Sequence, residues 1–185
     1  MSSDRLAELG SLTSAQVRKD LSLFGNFGVR GRGYDVNGLY DALAKILGLE
    51  RTWATVVLGA GRLGTALTAY PDFASQGFRI VALFDRDEAK HGQTFGDALV
   101  RPLEELEEYC RTEDVSIGVI STPAEAAQES ADRLVKAGIL GILNFAPTTL
   151  DVPSRVSVRN VNLAIELEGL SYAITEGGHL PGGSD

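Results

Sequence analysis

Residues 55–64 read Thr-Val-Val-Leu-Gly-Ala-Gly-Arg-Leu-Gly, an apolar run that passes directly into a glycine-rich turn. The last six of these residues, 59–64, fit the pattern G-x-G-x-x-G. The spacing alone is a weak signal in a chain with 21 glycines. Here, however, it lies between a predicted strand and a predicted helix, and that context is typical of a turn that holds the diphosphate of a dinucleotide.

Each glycine of this motif has a physical role. Gly59 permits the tight turn, Gly61 lets backbone N–H groups reach the diphosphate, and Gly64 allows the helix to pack closely. The residues between them belong to the same predicted cofactor site: Ala60, Arg62 and Leu63.

Asp85 ends the next apolar run, 26 residues after Gly59. A carboxylate at this place accepts hydrogen bonds from ribose hydroxyls and repels the 2′-phosphate of NADP. The sequence therefore favours NAD, as NADH and NAD⁺, as the cofactor. The neighbouring Arg86 keeps NADP from being excluded.

Short apolar runs alternate with longer helical patterns from residue 54 onward, which predicts an α/β fold with a doubly wound, Rossmann-type parallel sheet. The predicted strands are residues 54–58, 79–85, 116–121 and 139–145, with a further strand near 156–159. The predicted helices between them are residues 62–70, 102–111 and 123–137. A last helix is predicted from apolar residues at helical spacing: Leu163, Leu167, Leu170 and Ile174.

The first fifty residues follow a different pattern. Thr13 and Gln16 fit a capping box, which predicts a helix starting at Thr13 with Val17, Leu21 and Phe24 buried. A shorter helix over residues 4–9, with Leu6 and Leu9 inward and Gly10 as its C-terminal cap, precedes it and completes a helix-turn-helix. Residues 27–34 alternate glycine with other residues and predict a hairpin with two arginines at its tip.

The charge distribution points to DNA at this end of the chain. The net charge of −8 argues against nonspecific nucleic-acid binding over the whole surface, but residues 16–34 carry four basic side chains and one acidic one. For Arg18 and Lys19 alone, a solvated helix face is the commoner explanation. A basic helix followed by a basic wing, however, suits contact with the major groove and flanking phosphates. The candidate DNA-binding residues are Ser14, Gln16, Arg18, Lys19, Arg30, Arg32 and Tyr34.

The composition, 44% hydrophobic and 23% charged over 185 residues, is that of a globular protein and disfavours a disordered or coiled-coil chain. Its apolar stretches fall short of a membrane span, and residues 2–5 do not resemble a secretory signal, so we expect a cytoplasmic protein. Cys110, the single cysteine, is interpreted as structural.

Six segments resemble, in the same order, the Rex family of redox-sensing transcriptional repressors: residues 14–22, 30–36, 59–64, 70–71, 123–128 and 141–147. The resemblance covers about residues 2–174. It implies a homodimer that binds operator double-stranded DNA when NADH is scarce and releases it when NADH rises. It also implies a C-terminal helix swapped between subunits.

The resemblance implies further site residues and domain boundaries. It adds Tyr70, Thr122 and Pro123 to the cofactor site, and it assigns the switch and the dimer contact to Tyr70, Asn162, Leu163, Leu167 and Leu170. The expected domains are a partial winged helix-turn-helix over 1–48, a Rossmann NAD(H)-binding domain over 52–160, a swapped helix over 161–175 and a disordered tail over 176–185.

The chain departs from the family pattern in two places. In the family another helix precedes the helix-turn-helix, whereas this chain begins at Met1 and Ser2. We therefore expect either an earlier native start or poor DNA binding. The family also places an aspartate at the start of the swapped helix, where it hydrogen-bonds the tyrosine matching Tyr70. Asn162 stands there, and its amide carries no charge, so we expect the coupling between NADH binding and DNA release to be altered.

Three rival interpretations come from other protein classes. A dehydrogenase is disfavoured, because too few residues follow the Rossmann region for a substrate domain and neither His91 nor His179 looks like a general acid. We therefore expect no enzyme activity, no catalytic residues and no metal or membrane partner. A CoA-binding module shares the glycine turn, but Asp85 favours an unphosphorylated ribose. The third rival is a dimer that binds NADH without binding DNA.

Overall fold

The computed structural model describes residues 1–29, 33–49 and 51–175, and the chain divides into two units, Met1–Thr52 and Trp53–Asp185. The described residues of the first unit form three helices and a two-stranded antiparallel hairpin. These elements are α1 (Ser3–Gly10), α2 (Ser14–Ser22), β1 (Gly28–Val29), β2 (Gly33–Tyr34) and α3 (Val36–Ile46).

The predicted capping box at the start of α2 is confirmed. The Gln16 N–H donates to Thr13 Oγ1 at 3.2 Å, and the Thr13 N–H donates to Gln16 Oε1 at 2.9 Å. These two bonds satisfy donors that a helix start leaves without partners. The hairpin is confirmed as well, whereas Arg30 and Arg32, which the sequence predicts at its tip, lie outside the described residues.

Three predictions about the first unit are wrong in detail. Helix α1 continues through Gly10, so the left-handed residue that ends it is Ser11, with φ of 51°, rather than Gly10. Leu9 is exposed, and Ala7 is the buried residue of α1. Phe24 lies beyond the end of α2 at Ser22, and 53% of its surface is exposed instead of extending the buried stripe.

The second unit is built on a seven-stranded sheet in the order β5-β6-β4-β3-β7-β8-β9. All neighbouring pairs are parallel except β5 and β6. The strands are β3 (Trp53–Leu58), β4 (Phe78–Asp85), β5 (Thr94–Phe95), β6 (Ala98–Pro102), β7 (Ile117–Ile120), β8 (Gly141–Asn144) and β9 (Ser157–Asn160). The predicted parallel α/β sheet is thus confirmed, with two strands that the sequence did not predict. One is the short antiparallel strand β5, and the other is β6, which pairs parallel with β4 and ends at Pro102, where the sequence predicted the start of a helix over 102–111.

Helices lie between several of these strands and after the last one. They are α4 (Arg62–Thr68), α5 (Pro71–Ser75), α6 (Leu106–Thr112), α7 (Ala124–Lys136) and α8 (Leu163–Thr175), with 3-10 turns at Glu88–Lys90 and Leu103–Glu105. The helix predicted over residues 62–70 instead ends at Thr68, and α5 begins at Pro71. The break is expected, because a proline disfavours helical conformation in the residue before it and suits the first position of a new helix.

The core of this unit lies between the sheet and its helices. Val56, Val57 and Leu58 of β3 are fully buried, as a central strand covered on both faces requires. Helix α7 approaches the sheet very closely at Gly118 of β7, where a Cβ atom would lie 2.6 Å from the Leu134 side chain. Within the described ranges, no helix is long and apolar enough to span a membrane.

Candidate nucleotide-binding site

A cavity of about 740 Å³ opens at the carboxyl ends of the parallel strands. It forms where the chain changes direction across the sheet: β3 pairs with β4 on one side and with β7 on the other. In open parallel sheets this switch point leaves a crevice in which ligands bind. The predicted cofactor residues that line the cavity are Gly59, Gly61, Leu63, Asp85, Thr122 and Pro123.

The glycine turn has the geometry that its sequence requires. Gly59 has φ of +100°, a conformation that side chains with a Cβ rarely adopt. A Cβ on Gly64 would run into the carbonyl oxygen of Gly59, so α4 packs directly on the turn. A Cβ on Gly61 would meet no atom within 4 Å, because this residue faces the cavity.

Asp85 ends β4 and holds the turn in place. Its Oδ2 accepts from the Ala60 N–H at 2.8 Å and from Lys90 Nζ at 2.9 Å, and its Oδ1 accepts from the Asp87 N–H at 2.9 Å. Burial acts to raise the pKa of this carboxyl, but the bonds from Lys90 and the two backbone N–H groups outweigh it and lower the pKa below its usual value. The carboxylate therefore stays charged and ready to accept hydrogen bonds.

Two polar residues that hold the glycine turn and Asp85 in place were missed from the sequence. The single hydroxyl of Ser121, just after β7, lies 2.9 Å from the carbonyl oxygen of Gly59 and 3.1 Å from that of Leu58, so its one proton is shared between the two acceptors. Lys90 closes a 3-10 turn and reaches back to Asp85. Neither carries a sequence signal, because Ser121 is 62 residues from Gly59 and the Lys90 turn has no periodic pattern.

The remaining walls combine apolar and charged groups. Phe84, Leu103 and Phe145 supply apolar surface. Arg86, Lys90 and Arg133 bring positive charge, and Arg133 is bound to Glu129 one helical turn earlier at 3.0 Å. A mixed crevice with a glycine turn, a buried carboxylate and cations suits an anionic dinucleotide.

The other residues predicted for the cofactor site do not line this cavity. Tyr70 is the residue before α5, packs edge-to-face on Phe73 with ring centroids 5.0 Å apart, and lines a separate, smaller cavity. Arg62 and Gly64 belong to α4, and Ala60 is buried beside Asp85. Burial raises the pKa of the Cys110 thiol to about 11, which fits its interpretation as a structural residue.

The predicted DNA-contacting residues belong to the first unit and differ in how free their side chains are. Lys19 is exposed on α2, whereas Arg18 donates to Ser3 Oγ at 3.0 Å and the Gln16 side chain is engaged in the cap. The Tyr34 ring packs over Gly28 across the hairpin.

Removing the Ser121 hydroxyl tests its hold on the glycine turn. We expect Ser121→Ala to cost about 1 kcal/mol of stability and to weaken NADH binding about fivefold, because one hydroxyl bonds two carbonyls of the turn. Thermal unfolding and a fluorescence titration with NADH measure both effects. Ser75→Ala, which removes a hydroxyl bonded only within its own helix, is the control and should change neither quantity. Unchanged NADH affinity in Ser121→Ala would contradict the role of this clamp.

Comparison with known proteins identifies the family. A relative from Carboxydothermus hydrogenoformans, named redox-sensing transcriptional repressor Rex, is 53% identical over 174 residues, which cover 94% of this chain and 84% of that protein. The chain belongs to the Rex family. The Rex of Streptomyces coelicolor is 48% identical over 172 residues, 93% of this chain and 67% of that protein. The resemblance read from the sequence motifs is therefore confirmed.

Solved Rex structures agree in fold. The Rex-family repressor RSP in complex with β-NAD⁺ and operator DNA superposes with a TM-score of 0.89 at 41% identity, covering 96% of this chain and 82% of that one. RSP in complex with β-NADH gives 0.80 at 39% identity, with coverage of 96% and 83%. Residues 50–148 also match the family model described as CoA binding domain, so this part of the Rex chain belongs to that domain family too.

Proposed function

We propose that this Rex-family protein is a redox-sensing transcriptional repressor that binds operator DNA and is released when NADH binds. The observation that carries the proposal is the likeness to RSP in complex with β-NAD⁺ and operator DNA, which extends over 96% of this chain and so includes both units. A repressor of this kind acts where the DNA lies, in the cytoplasm.

The dinucleotide-binding part of the proposal rests on the cavity. The backbone of the glycine turn at Gly59 and Gly61 would hold the diphosphate, and Asp85 would accept from the ribose hydroxyls. Thr122 and Pro123 would complete the opposite wall. The bound nicotinamide supplies the redox signal, because it is a cation when oxidised and neutral when reduced. Apolar walls such as Leu63 and Phe145 favour the neutral form, since burying an unpaired charge is costly.

The DNA-binding part rests on the first unit. We assign residues 1–48 to a winged helix-turn-helix domain, in which Lys19 and Arg18 on α2 contact phosphate and the arginines of the 30–32 segment extend the contact. Ser14, Gln16 and Tyr34 position this surface. Residues 52–160 form the NAD(H)-binding domain, and residues 161–175 the dimer-swap helix. The proposed tail, 176–185, lies outside the described residues.

The homodimer is supported by α8. Leu163, Leu167, Leu170 and Ile174 are between 61% and 81% exposed in the single chain. At about 100° per residue they fall within about 60° of one another, while Ile165 and Tyr172 lie on the opposite side. A helix with two exposed apolar sides is stable in water only when it is enclosed, and a second copy of the chain is the partner that we propose.

A gel-shift assay at fixed, stated salt tests this function. We expect the protein to retard operator DNA in the absence of nucleotide and with NAD⁺, and NADH to release it at concentrations where NAD⁺ does not. Retardation that NADH leaves unchanged would overturn the redox switch. Tight NADH binding by a dimer that never retards DNA would instead support the rival interpretation, an NAD(H)-binding dimer without DNA binding.

Asn162 offers a sharper test of the switch. Its Oδ1 accepts from the N–H groups of Ala164 at 3.0 Å and Ile165 at 3.4 Å, so it caps α8. Asn162→Asp keeps this cap and adds the charge that the family pattern has at this place. We expect NADH to weaken DNA binding about fivefold more strongly in this variant, which corresponds to about 1 kcal/mol of added coupling.

The comparison for this variant is Asn162→Ser, which also caps but carries no charge. In this variant NADH should weaken DNA binding as strongly as it does in the unchanged protein. DNA affinities with and without saturating NADH, measured by fluorescence anisotropy, give the coupling for all three proteins. If NADH weakens DNA binding equally in Asn162→Asp and in the unchanged protein, residue 162 takes no part in the switch.

A further inference from the structure

Lys90 stands beside the ribose acceptor of the nucleotide site. Its Nζ donates to Asp85 Oδ2 at 2.9 Å and lies 3.8 Å from Asp87 Oδ2. The Asp85 side chain is 9% exposed and that of Lys90 is 34% exposed, and both residues line the cavity. The pair is therefore only partly screened by water, and the charge of Lys90 acts on whatever approaches Asp85.

The hydrogen bonds of Asp85 leave room for a ligand on one oxygen. Oδ2 already accepts from the Ala60 N–H and from Lys90, whereas Oδ1 accepts from the Asp87 N–H. A carboxylate has about four acceptor sites, so Oδ1 can take one more donor. The ammonium of Lys90 has three donors, of which one is directed to Asp85. A ligand in the cavity can therefore meet an acceptor, Asp85 Oδ1, next to a donor, the Lys90 ammonium.

We propose that Lys90 is a specificity-determining residue of this site, which sets how strongly the protein distinguishes a ribose 2′-hydroxyl from a 2′-phosphate. The inference rests on the proposed binding of NADH. A hydroxyl can donate to Asp85 and accept from Lys90 at once, but a phosphate can only accept and meets the carboxylate as a like charge. Lys90 offsets part of that repulsion, so its charge moderates the preference for NADH over NADPH.

Lys90→Met, which keeps most of the side-chain length and removes the charge, gives the main test. Dissociation constants for NADH and NADPH are measured separately from the fluorescence of the reduced nicotinamide. We expect the value for NADH to rise about fivefold, through loss of one charge-assisted hydrogen bond, and that for NADPH about fiftyfold. The NADPH/NADH ratio then rises about tenfold, because the full charge of Asp85 faces the 2′-phosphate.

Two further variants test whether the change in the NADPH/NADH ratio comes from charge. Asp85→Asn removes the opposing charge and is expected to lower the same ratio, while Lys90→Arg is expected to restore it close to that of the unchanged protein. Lys136→Met is the matched control, since Lys136 is also paired with a carboxylate, Glu107 at 2.6 Å, but on the outer surface. It should leave both dissociation constants unchanged.

Each outcome has a separate meaning. If Lys90→Met weakens NADH and NADPH alike, or lowers the ratio, Lys90 only supports the fold and the proposal is overturned while NADH binding stands. If the unchanged protein binds neither dinucleotide, the proposed function and this inference both fall. A tenfold rise in the ratio, reversed by arginine, establishes Lys90 as the residue that tunes the selection.

Discussion

Gly61→Ala is expected to abolish NADH binding, with a loss of at least about 100-fold in affinity, while the protein stays folded. The backbone at Gly61 has φ of −87°, which alanine adopts without strain, and an added Cβ would meet no protein atom within 4 Å. The methyl group would instead occupy the part of the cavity where the backbone must approach the diphosphate. The substitution therefore weakens ligand binding and does not destabilise the fold.

Thermal unfolding and NADH titration separate these two effects. The melting temperature of Gly61→Ala should be equal to or slightly above that of the unchanged protein, because alanine lowers the entropy of the unfolded chain. Gly64→Ala should behave in the opposite way and destabilise the protein strongly, since its Cβ would collide with the carbonyl oxygen of Gly59. Gly141→Ala, where a Cβ makes an ordinary contact at 3.8 Å, is the control for a glycine away from the cavity. Normal NADH binding by Gly61→Ala would overturn the assignment of the glycine turn.

Leu167→Glu is expected to convert the proposed homodimer into monomers. The side chain is 66% exposed in the single chain and lies in the apolar stripe of α8, so the substitution costs the monomer little. Burying an unpaired carboxylate in a dimer interface, by contrast, costs several kcal/mol. Light scattering after size-exclusion chromatography would measure the mass directly.

Loss of the dimer should also weaken operator binding, because two linked half-site contacts become one. Thr175→Glu adds the same charge at the end of α8, on the side of Glu168, and should leave the dimer intact. A Leu167→Glu protein that remains dimeric would show that α8 is not the dimer contact.

The parallel sheet was predictable because its central strands are largely buried and form apolar runs in the sequence, as residues 80–84 do. Strand β5 is only two residues long, Thr94–Phe95, and follows a glycine and a glutamine, so it leaves no pattern to read. Helix α3 was also missed, although a signal was present: Asp35 caps it by accepting from the Gly38 N–H at 3.2 Å, and Leu39 and Leu43 follow at helical spacing.

The candidate site was predictable as far as local geometry determines it. The glycine turn and Asp85 are fixed by short-range requirements of the backbone and by the end of a strand. Ser121 and Lys90 reach the turn through contacts that only the folded chain creates, and no residue spacing encodes them. Burial in the first unit was predicted less well, because the end of α2 at Ser22 leaves Phe24 outside the amphipathic pattern.

The Leu134 side chain of α7 packs directly on Gly118 of β7, and this contact helps to set how near the helix lies to the sheet. Helix α7 also lines the cavity, through Ala126, Glu129, Ser130 and Arg133. A Cβ at residue 118 would lie 2.6 Å from a terminal methyl carbon of Leu134, which is fully buried, so a larger residue there must displace this side chain or the helix that carries it. The space available to a flat heterocyclic ring is therefore sensitive to Gly118, a residue that does not itself line the cavity.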